Sequence, residues 1–207
     1  MLTFVGRPDM PDPSLVAAFF LAALTAFFSP GPNNLMLMTS SAKFGLVPTL
    51  PHAAGIVVGF PVMVFIIGLG LGEVFTLYPW LGAAMRWLAA AYFLWMAWTM
   101  LGIRIGEASG SERPMRFHEA AAFQWINPKA WAMAISFVAL FVPPGEGRLA
   151  GLVVLSLGCV FVGPFSGGLW MVFGRGLIAF LRRTGAERYL GVILAVLMLA
   201  AVVLFLI

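Results

Sequence analysis

The residues Phe28-Ser29-Pro30-Gly31-Pro32-Asn33-Asn34 interrupt an apolar stretch that otherwise runs from Leu15 to Met38. A helix in hydrocarbon must satisfy its own backbone, so two prolines, a glycine and two asparagines should be excluded from its middle. Such a break is tolerated only against other protein or a wet cavity. Asn127-Pro128-Lys129 interrupts a second apolar stretch in the other half of the chain. Paired interruptions in corresponding halves are the sequence pointer to a binding site between discontinuous membrane helices.

The background of these breaks is a membrane composition. Of the 207 residues, 62% are hydrophobic and 10% charged, far from the balance of a soluble domain. Apolar runs cover about 14–41, 46–71, 80–103, 120–142, 149–174 and 189–207, each long enough to cross a bilayer at ~20 residues per span. The expected fold is an all-α membrane protein of six transmembrane helices, with helices 1 and 4 broken and no appended soluble domain. A signal-peptide reading of the first run is opposed by Asp9 and Asp12 and by the return of apolar sequence after the break.

The net charge of +4 does not indicate nucleic acid, because the basic residues lie in short connections without interleaved aromatics. They report topology instead. Lys43, Arg104, Arg113, Arg116, Arg175, Arg182, Arg183 and Arg188 follow the odd-numbered spans, against Arg7, Arg86 and Arg148 on the other side. The bias puts the first group in the cytoplasm and both termini outside. The connections 104–119 and 175–188 are expected to be the polar loops.

The halves share an order of features. Gly55-x-x-x-Gly59 and Pro61 in span two are echoed by Gly163, Pro164 and Gly167 in span five. Arg86-Trp87-Leu88-Ala89 in span three is echoed by Arg188-Tyr189-Leu190-Gly191 in span six. Three spans per half is odd, so repeat two (about 120–207) must be inverted relative to repeat one (about 14–103) within a single domain, 1–207. Gly55, Gly59, Gly163 and Gly167 are read as helix-packing positions, where small residues allow close approach in lipid. The same faces would permit a homodimer without requiring one. The methionines and tryptophans are read as packing residues and interfacial anchors.

The chemistry follows from the breaks. Pro30 and Pro32 remove the donors that Ala26 and Phe28 carbonyls would use, and Pro128 does so for Gln124. Freed carbonyls suit an ammonium group or a cation. Ser29-Pro30 and Asn127-Pro128 read as helix caps followed by proline at the first helical position, and such an N-terminus attracts a carboxylate. Lys129 adds a full charge, while Asn33, Asn34 and Gln124 add donors and acceptors. Counted from opposite sides at 1.5 Å per residue, both breaks reach the cytoplasmic half of the membrane and can meet. Carbonyls beside helix N-termini describe a site for a zwitterionic amino acid. Proline kinks also arise from packing alone, and Lys129 is long enough to snorkel to the interface.

Other chemistry is sparse. His52, near the cytoplasmic start of span two, can titrate near neutral pH and is a candidate for coupling. Glu73 and Glu119 lie near span ends and read as solvated. One cysteine, Cys159, and the separated His52 and His118 give neither a disulfide framework nor a metal cluster, and no cofactor is expected. An enzyme would need a positioned nucleophile and base. Ser29, Thr39, Ser40, Ser41 and His52 form no such set, and a cation exporter would lack carboxylates.

Ser29-Pro30-Gly31-Pro32-Asn33-Asn34, Gly45 and Gly55-x-x-x-Gly59 resemble the first-half signature of the lysine exporter (LysE/RhtB-type) translocators. Asn127-Pro128-Lys129-Ala130-Trp131 resembles that family's second-half motif. The resemblance implies a six-span inner-membrane secondary transporter exporting amino acids or close derivatives, with Pro30, Gly31, Pro32, Asn33, Asn127, Pro128 and Lys129 as its motif residues. Phe141-Val142-Pro143-Pro144-Gly145 replaces the Pro-Gln-Phe end of many members, a departure at the outer gate.

Overall fold

The computed structural model describes residues 13–71, 77–78, 80–101, 113–142 and 144–206. Arg7, Asp9, Asp12, Glu73, Arg104 and Pro143, and both chain ends, lie outside the described residues. Eight α-helices are described: α1 (Pro13–Phe28), α2 (Pro32–Phe44), α3 (Leu46–Ile66), α4 (Trp80–Leu101), α5 (Phe117–Phe123), α6 (Pro128–Phe141), α7 (Arg148–Thr184) and α8 (Leu190–Leu206). No strand occurs among the described residues. Leu46–Leu71 and Arg148–Thr184 are each apolar and long enough to cross a bilayer. Ser14–Phe28 and Pro32–Phe44, bent by 53° at the break, qualify together as one broken span.

The breaks fall where proline chemistry puts them, though with a different cap on the first. Pro32 is the first residue of α2 and Gly31, not Ser29, is its N-cap. Ser29 instead finishes α1: its N–H reaches the Thr25 carbonyl at 3.2 Å and its hydroxyl turns back to Ala26 at 3.0 Å. The second break matches the capping rule. The Asn127 side chain accepts the Lys129 N–H at 3.1 Å, with Pro128 at the first helical position.

The fifth apolar run does not end near residue 174 as its hydropathy suggested. The helix continues through Arg175, Arg182 and Arg183 to Thr184, because arginine is a good helix former and polarity alone does not stop a helix. Gly185 stops it in the left-handed conformation (φ 66°), letting Ala186 N–H close back on Leu181 at 2.9 Å. At the other end, Arg148 donates from Nε and Nη2 to the Gly68 carbonyl at 3.1 and 2.8 Å. That ties α7 to the turn Ile67–Leu71, kinked at Gly70 (φ 134°), that extends α3.

Helix α2 occupies the middle of the bundle. Its sequence, PNNLMLMTSSAKF, is polar for a membrane segment, yet residues from Asn34 to Ala42 are buried. Protein rather than lipid surrounds its polar groups. Ser41 bridges to α7, its one hydroxyl hydrogen shared between the Met38 carbonyl at 2.9 Å and the Met171 carbonyl at 2.8 Å. Helix α2 packs on α7, α3 on both α5 and α7, α4 on α8, and α1 on α6 and α7.

The glycines explain how closely these helices approach. A Cβ on Gly55 would overlap the Phe117 carbonyl oxygen, and one on Gly59 would lie 2.6 Å from Ala121 Cα. Gly163 and Gly167 would make ordinary contacts, each at 3.4 Å, with Val57 and Leu37. All four therefore face neighbours within the same chain. Gly59→Ala should destabilise the protein by about 1–3 kcal/mol through overpacking against backbone, and Gly163→Ala by no more than about 0.5 kcal/mol. Unfolding midpoints in detergent compare the two.

The segment leading into α5 is held by charge. The Arg113 guanidinium grips Glu119 through both nitrogens, at 2.7 and 2.5 Å, and Arg116 N–H adds a third bond at 2.8 Å. Arg113, and next the Arg116 backbone, draw the Glu119 carboxyl down to about 2 from its ordinary 4.5. Its contribution to order is therefore present above about pH 4.5 and lost as pH falls toward 2. Carboxyl titration of the Arg113→Ala protein should show Glu119 returning toward the ordinary value.

Candidate functional site

The two breaks meet side by side. From the first turn of α6, Lys129 crosses to the first break. Its Nζ donates to the Ser29 carbonyl at 2.9 Å, the Ser29 hydroxyl at 2.8 Å and the Pro30 carbonyl at 3.2 Å. Because the Ser29 hydroxyl already donates to Ala26, it can only accept from Lys129. Three acceptors around Nζ match the three donors of a protonated ammonium. Lys129 is half-buried and turned inward rather than snorkelling.

This geometry corrects the expected division of labour. The Ala26 carbonyl is taken by Ser29 Oγ, and the Gln124 carbonyl by Asn127 N–H at 3.2 Å in a 3₁₀ turn, Gln124–Ile126. The Ser29 and Pro30 carbonyls serve the protein's own ammonium, and the Phe27 carbonyl serves Asn34 and Ser166. A substrate ammonium does not find them open in this conformation. A metal cation would meet a like charge in the same place.

Asn33 and Gln124 make a reciprocal amide pair, Nδ2 to Oε1 at 2.8 Å and Nε2 to Oδ1 at 3.2 Å. Gln124 Nε2 also reaches the Ala120 carbonyl at 2.9 Å, fully buried. Asn34 folds back over the break, donating to Phe27 at 2.7 Å and Ser29 at 2.9 Å. Ser166 of α7 donates to the same Phe27 carbonyl at 2.7 Å. Ser166 was missed in the sequence; a lone serine in a Gly- and Phe-rich run reads as packing until its acceptor is known.

Between the breaks, α3 and α7 lies a cavity of about 50 Å³. Gly31, Pro32, Asn33, Asn34, Asn127 and Lys129 line it, with Ile56, Val57 and Phe60 from α3 and Cys159, Gly163 and Gly167 from α7. Ser29, Pro30, Gln124 and Pro128 do not; they hold the residues that do. Gly163 and Gly167 combine packing with a place in the cavity wall. His52 lies outside the lining. Among the described residues, no Asp or Glu lines the cavity.

On one side of the cavity the aromatic rings close up. Phe27 lies edge-on to Phe60 at 5.4 Å and stacks near Phe137 at 6.3 Å, while Phe19 contacts Phe137 at 5.8 Å and Phe141 at 5.5 Å. Helix α6 runs from Pro128 to Phe141, with Lys129 in its first turn and Phe137 and Phe141 in its last, so this plug lies toward the far end of α6 from Lys129.

A half-buried ammonium at the junction of two broken helices, inside a bundle of apolar spans, fits a solute-translocating, multi-pass membrane protein. Residues 24–207 match the LysE type translocator family, and the chain belongs to that family. It is a transporter of an efflux family rather than an enzyme. Among its relatives is a cysteine/O-acetylserine efflux protein of Escherichia coli O139:H28 (strain E24377A / ETEC), 27% identical over 188 residues, covering 90% of this chain and 95% of the relative. The protein of the same description from Escherichia coli (strain K12) is 27% identical over 187 residues, covering 90% and 94%. No solved structure matches the chain.

Gly31 has the most exacting position in this site. A Cβ there would lie 2.7 Å from Lys129 Cδ and 2.9 Å from Nζ, and Nζ is fixed by its three acceptors. Gly31→Ala and Lys129→Ala should each reduce transport at least tenfold, equivalent to about 1.4 kcal/mol, while the proteins still insert and purify. Initial transport rates per mole of reconstituted protein test this, and a wild-type rate for Lys129→Ala removes Lys129 from the site.

Proposed function

We propose that the protein exports a small zwitterionic amino acid, or a close derivative, across the bacterial cytoplasmic membrane as a secondary transporter working by alternating access. The Lys129 ammonium at the joined helix breaks carries this reading. It is a fixed positive charge without an acidic partner in the cavity lining, beside the half-helix N-termini of α2 and α6, and its complement is a carboxylate. Ser29, Pro30, Gly31, Pro32, Asn33, Asn34, Gln124, Asn127, Pro128 and Lys129 form the substrate-binding unit, the first-named two and Gln124 and Pro128 as supports. A carboxylate arriving at Lys129 would exchange for Ser29 and Pro30 as its partners, releasing the carbonyls for the ammonium of the same solute. In this way the acceptors become available only when substrate binds.

The cavity of about 50 Å³ is far below the roughly 300–1,000 Å³ of ligand pockets. The described conformation is therefore closed around the site, and loading requires the helices to part. The reading takes six spans as two inverted repeats, 14–103 and 120–207, forming one transport domain. Reciprocal packing supports it. The second parts of the two broken pairs lie across from each other's repeat, α2 on α7 and α6 on α3, as do the first parts, α1 on α7 and α5 on α3; α3 meets α7 and α4 meets α8. A two-fold relation between halves requires that exchange of partners. Rocking about the α3–α7 contact would part the phenylalanine plug on one side and the Asn33–Gln124 pair on the other.

The positive-inside bias supports cytoplasmic ends for α2 (Lys43) and α7 (Arg182, Arg183) and the start of α5, with both chain termini outside. The monomer is taken as the transporting unit, since Gly55, Gly59, Gly163 and Gly167 make contacts inside it and are not offered to a homodimer. The relatives' names direct attention to cysteine and O-acetylserine. A cavity wall built of Ala53, Ile56, Val57, Met133 and glycines fits short uncharged side chains better than basic ones, which would need a buried acid.

Expression in a bacterium lacking its own exporters should raise extracellular L-cysteine or O-acetyl-L-serine severalfold over vector, while lysine and arginine stay unchanged. Quantitative analysis of the medium reads the outcome. Unchanged zwitterions together with metal tolerance that follows expression would transfer the assignment to cation export.

A further inference from the structure

The efflux reading leaves the driving ion unnamed, and the ionisable groups at membrane depth narrow it. Among the described residues, no group of three or more His, Cys, Asp or Glu is arranged to hold a metal ion. The carbonyls of the first break, which would suit sodium, already surround the Lys129 ammonium. Lys129 donates to three acceptors, and loss of a proton from its ammonium would leave one of them without a donor. Cys159 is a buried thiol in an apolar wall.

His52 is different. It is 2% exposed, and its Nδ1 is buried with no hydrogen-bond partner. A protonated imidazolium donates from both nitrogens, so this environment fits the neutral ring and leaves the site in need of a partner. A buried polar atom without one calls for explanation by water, an ion or function. One turn earlier on α3, the fully buried Thr49 Oγ1 donates to Gly45 at 2.8 Å and meets Ser40 Oγ at 3.1 Å. One turn later, about 6 Å along the axis, Ile56 lines the substrate cavity, as does the adjacent Ala53. His52 thus stands between a buried hydroxyl pair leading from the α2–α3 turn and the cavity wall.

The charges on the elements around it are mostly positive. Helix α2 brings Lys43; α5 brings His118 and Glu119, the latter held by Arg113 and Arg116; α6 brings Lys129; α7 brings Cys159 and Arg175. A proton on His52 adds to that positive charge beside the cavity, where the ammonium of a zwitterion must also be held.

We propose that His52 is the proton-carrying residue of a substrate/proton antiport cycle. This rests on the efflux reading. The imidazole nitrogen accepts one proton from water when the cavity opens outward and returns it to cytoplasmic water when the cavity opens inward; no other bond changes. Substrate binds to the neutral-His52 form and is expelled by the protonated one. Thermodynamic linkage then requires proton and substrate to weaken each other's binding by the same factor, typically about 5–150-fold.

Purified protein in liposomes tests this with radiolabelled L-cysteine. Wild type should catalyse exchange at equal pH on both sides and accumulate label when the interior is acid, independent of sodium. Its affinity should fall severalfold as the pH is lowered from 7 to 5, across and below the ordinary imidazole value of about 6.5. His52→Gln should keep exchange, lose acid-driven accumulation and bind independently of pH. Acid-driven accumulation by His52→Gln at the wild-type level, a wild type driven by sodium, or loss of exchange in both His52→Gln and His52→Asn each overturn the proposal. PH-independent binding by wild type overturns it without any variant. Absence of exchange by wild type for every zwitterion tried overturns the efflux reading instead, and the antiport with it.

Discussion

The contact between the Lys129 ammonium and the carbonyls of the first break supports the rest of the structure. Each partner is costly alone: a lysine at bilayer depth costs about 3 kcal/mol on insertion scales, and a backbone group without a partner in hydrocarbon costs several more. Together they remove each other's penalty, through three bonds of 2.8–3.2 Å. The contact joins residues 100 positions apart in the chain. It also crowds Gly31, since a Cβ there would have to push the end of the lysine off its acceptors.

From that contact the polarity of α2 becomes intelligible. A helix whose first turn carries Asn33 and Asn34 and whose middle carries Thr39, Ser40 and Ser41 cannot face lipid. It is enclosed by α3 and α7, with close contacts where side chains are small and with Ser41 bonded to the α7 backbone. The cavity lies where α2, α3 and α7 meet beside the breaks, so its wall is shared with the helix contacts. Packing and transport therefore draw on the same residues. Gly163 and Gly167 illustrate this, meeting Val57 and Leu37 while forming the cavity wall.

Much of the fold was legible because its signals are local. Apolar runs, proline positions and the Asn127 cap depend on neighbours within a few residues, and the helices begin and end close to those signals. The exceptions are also physical. Polarity marked the end of the fifth run near residue 174, whereas the helix runs until Gly185 supplies a left-handed cap. Ser29 resembled Asn127 as a cap but turned back to Ala26, because α1 retained its last backbone bond. Both Asn33 and Gln124 read as polar site residues, yet nothing local announced that their amides would bond to each other. Ser166 carried no local signal at all.

The sequence by itself determined a helical membrane protein with two breaks, because hydrocarbon tolerates proline, asparagine and lysine only under narrow conditions and those residues stand at fixed positions in apolar runs. Only the tertiary structure decided which acceptors those groups would use. Freed carbonyls are interchangeable as chemistry, and their assignment depends on which side chains arrive from elsewhere in the chain. Ser29 and Asn127 reached the Ala26 and Gln124 carbonyls locally, and Lys129, brought from the other half, took Ser29 and Pro30. The Ala26 carbonyl read as open to an ammonium is closed by Ser29, and the protein's own ammonium takes the neighbouring Ser29 and Pro30 carbonyls, because a charge inside the bundle must be satisfied in the folded state before any solute arrives.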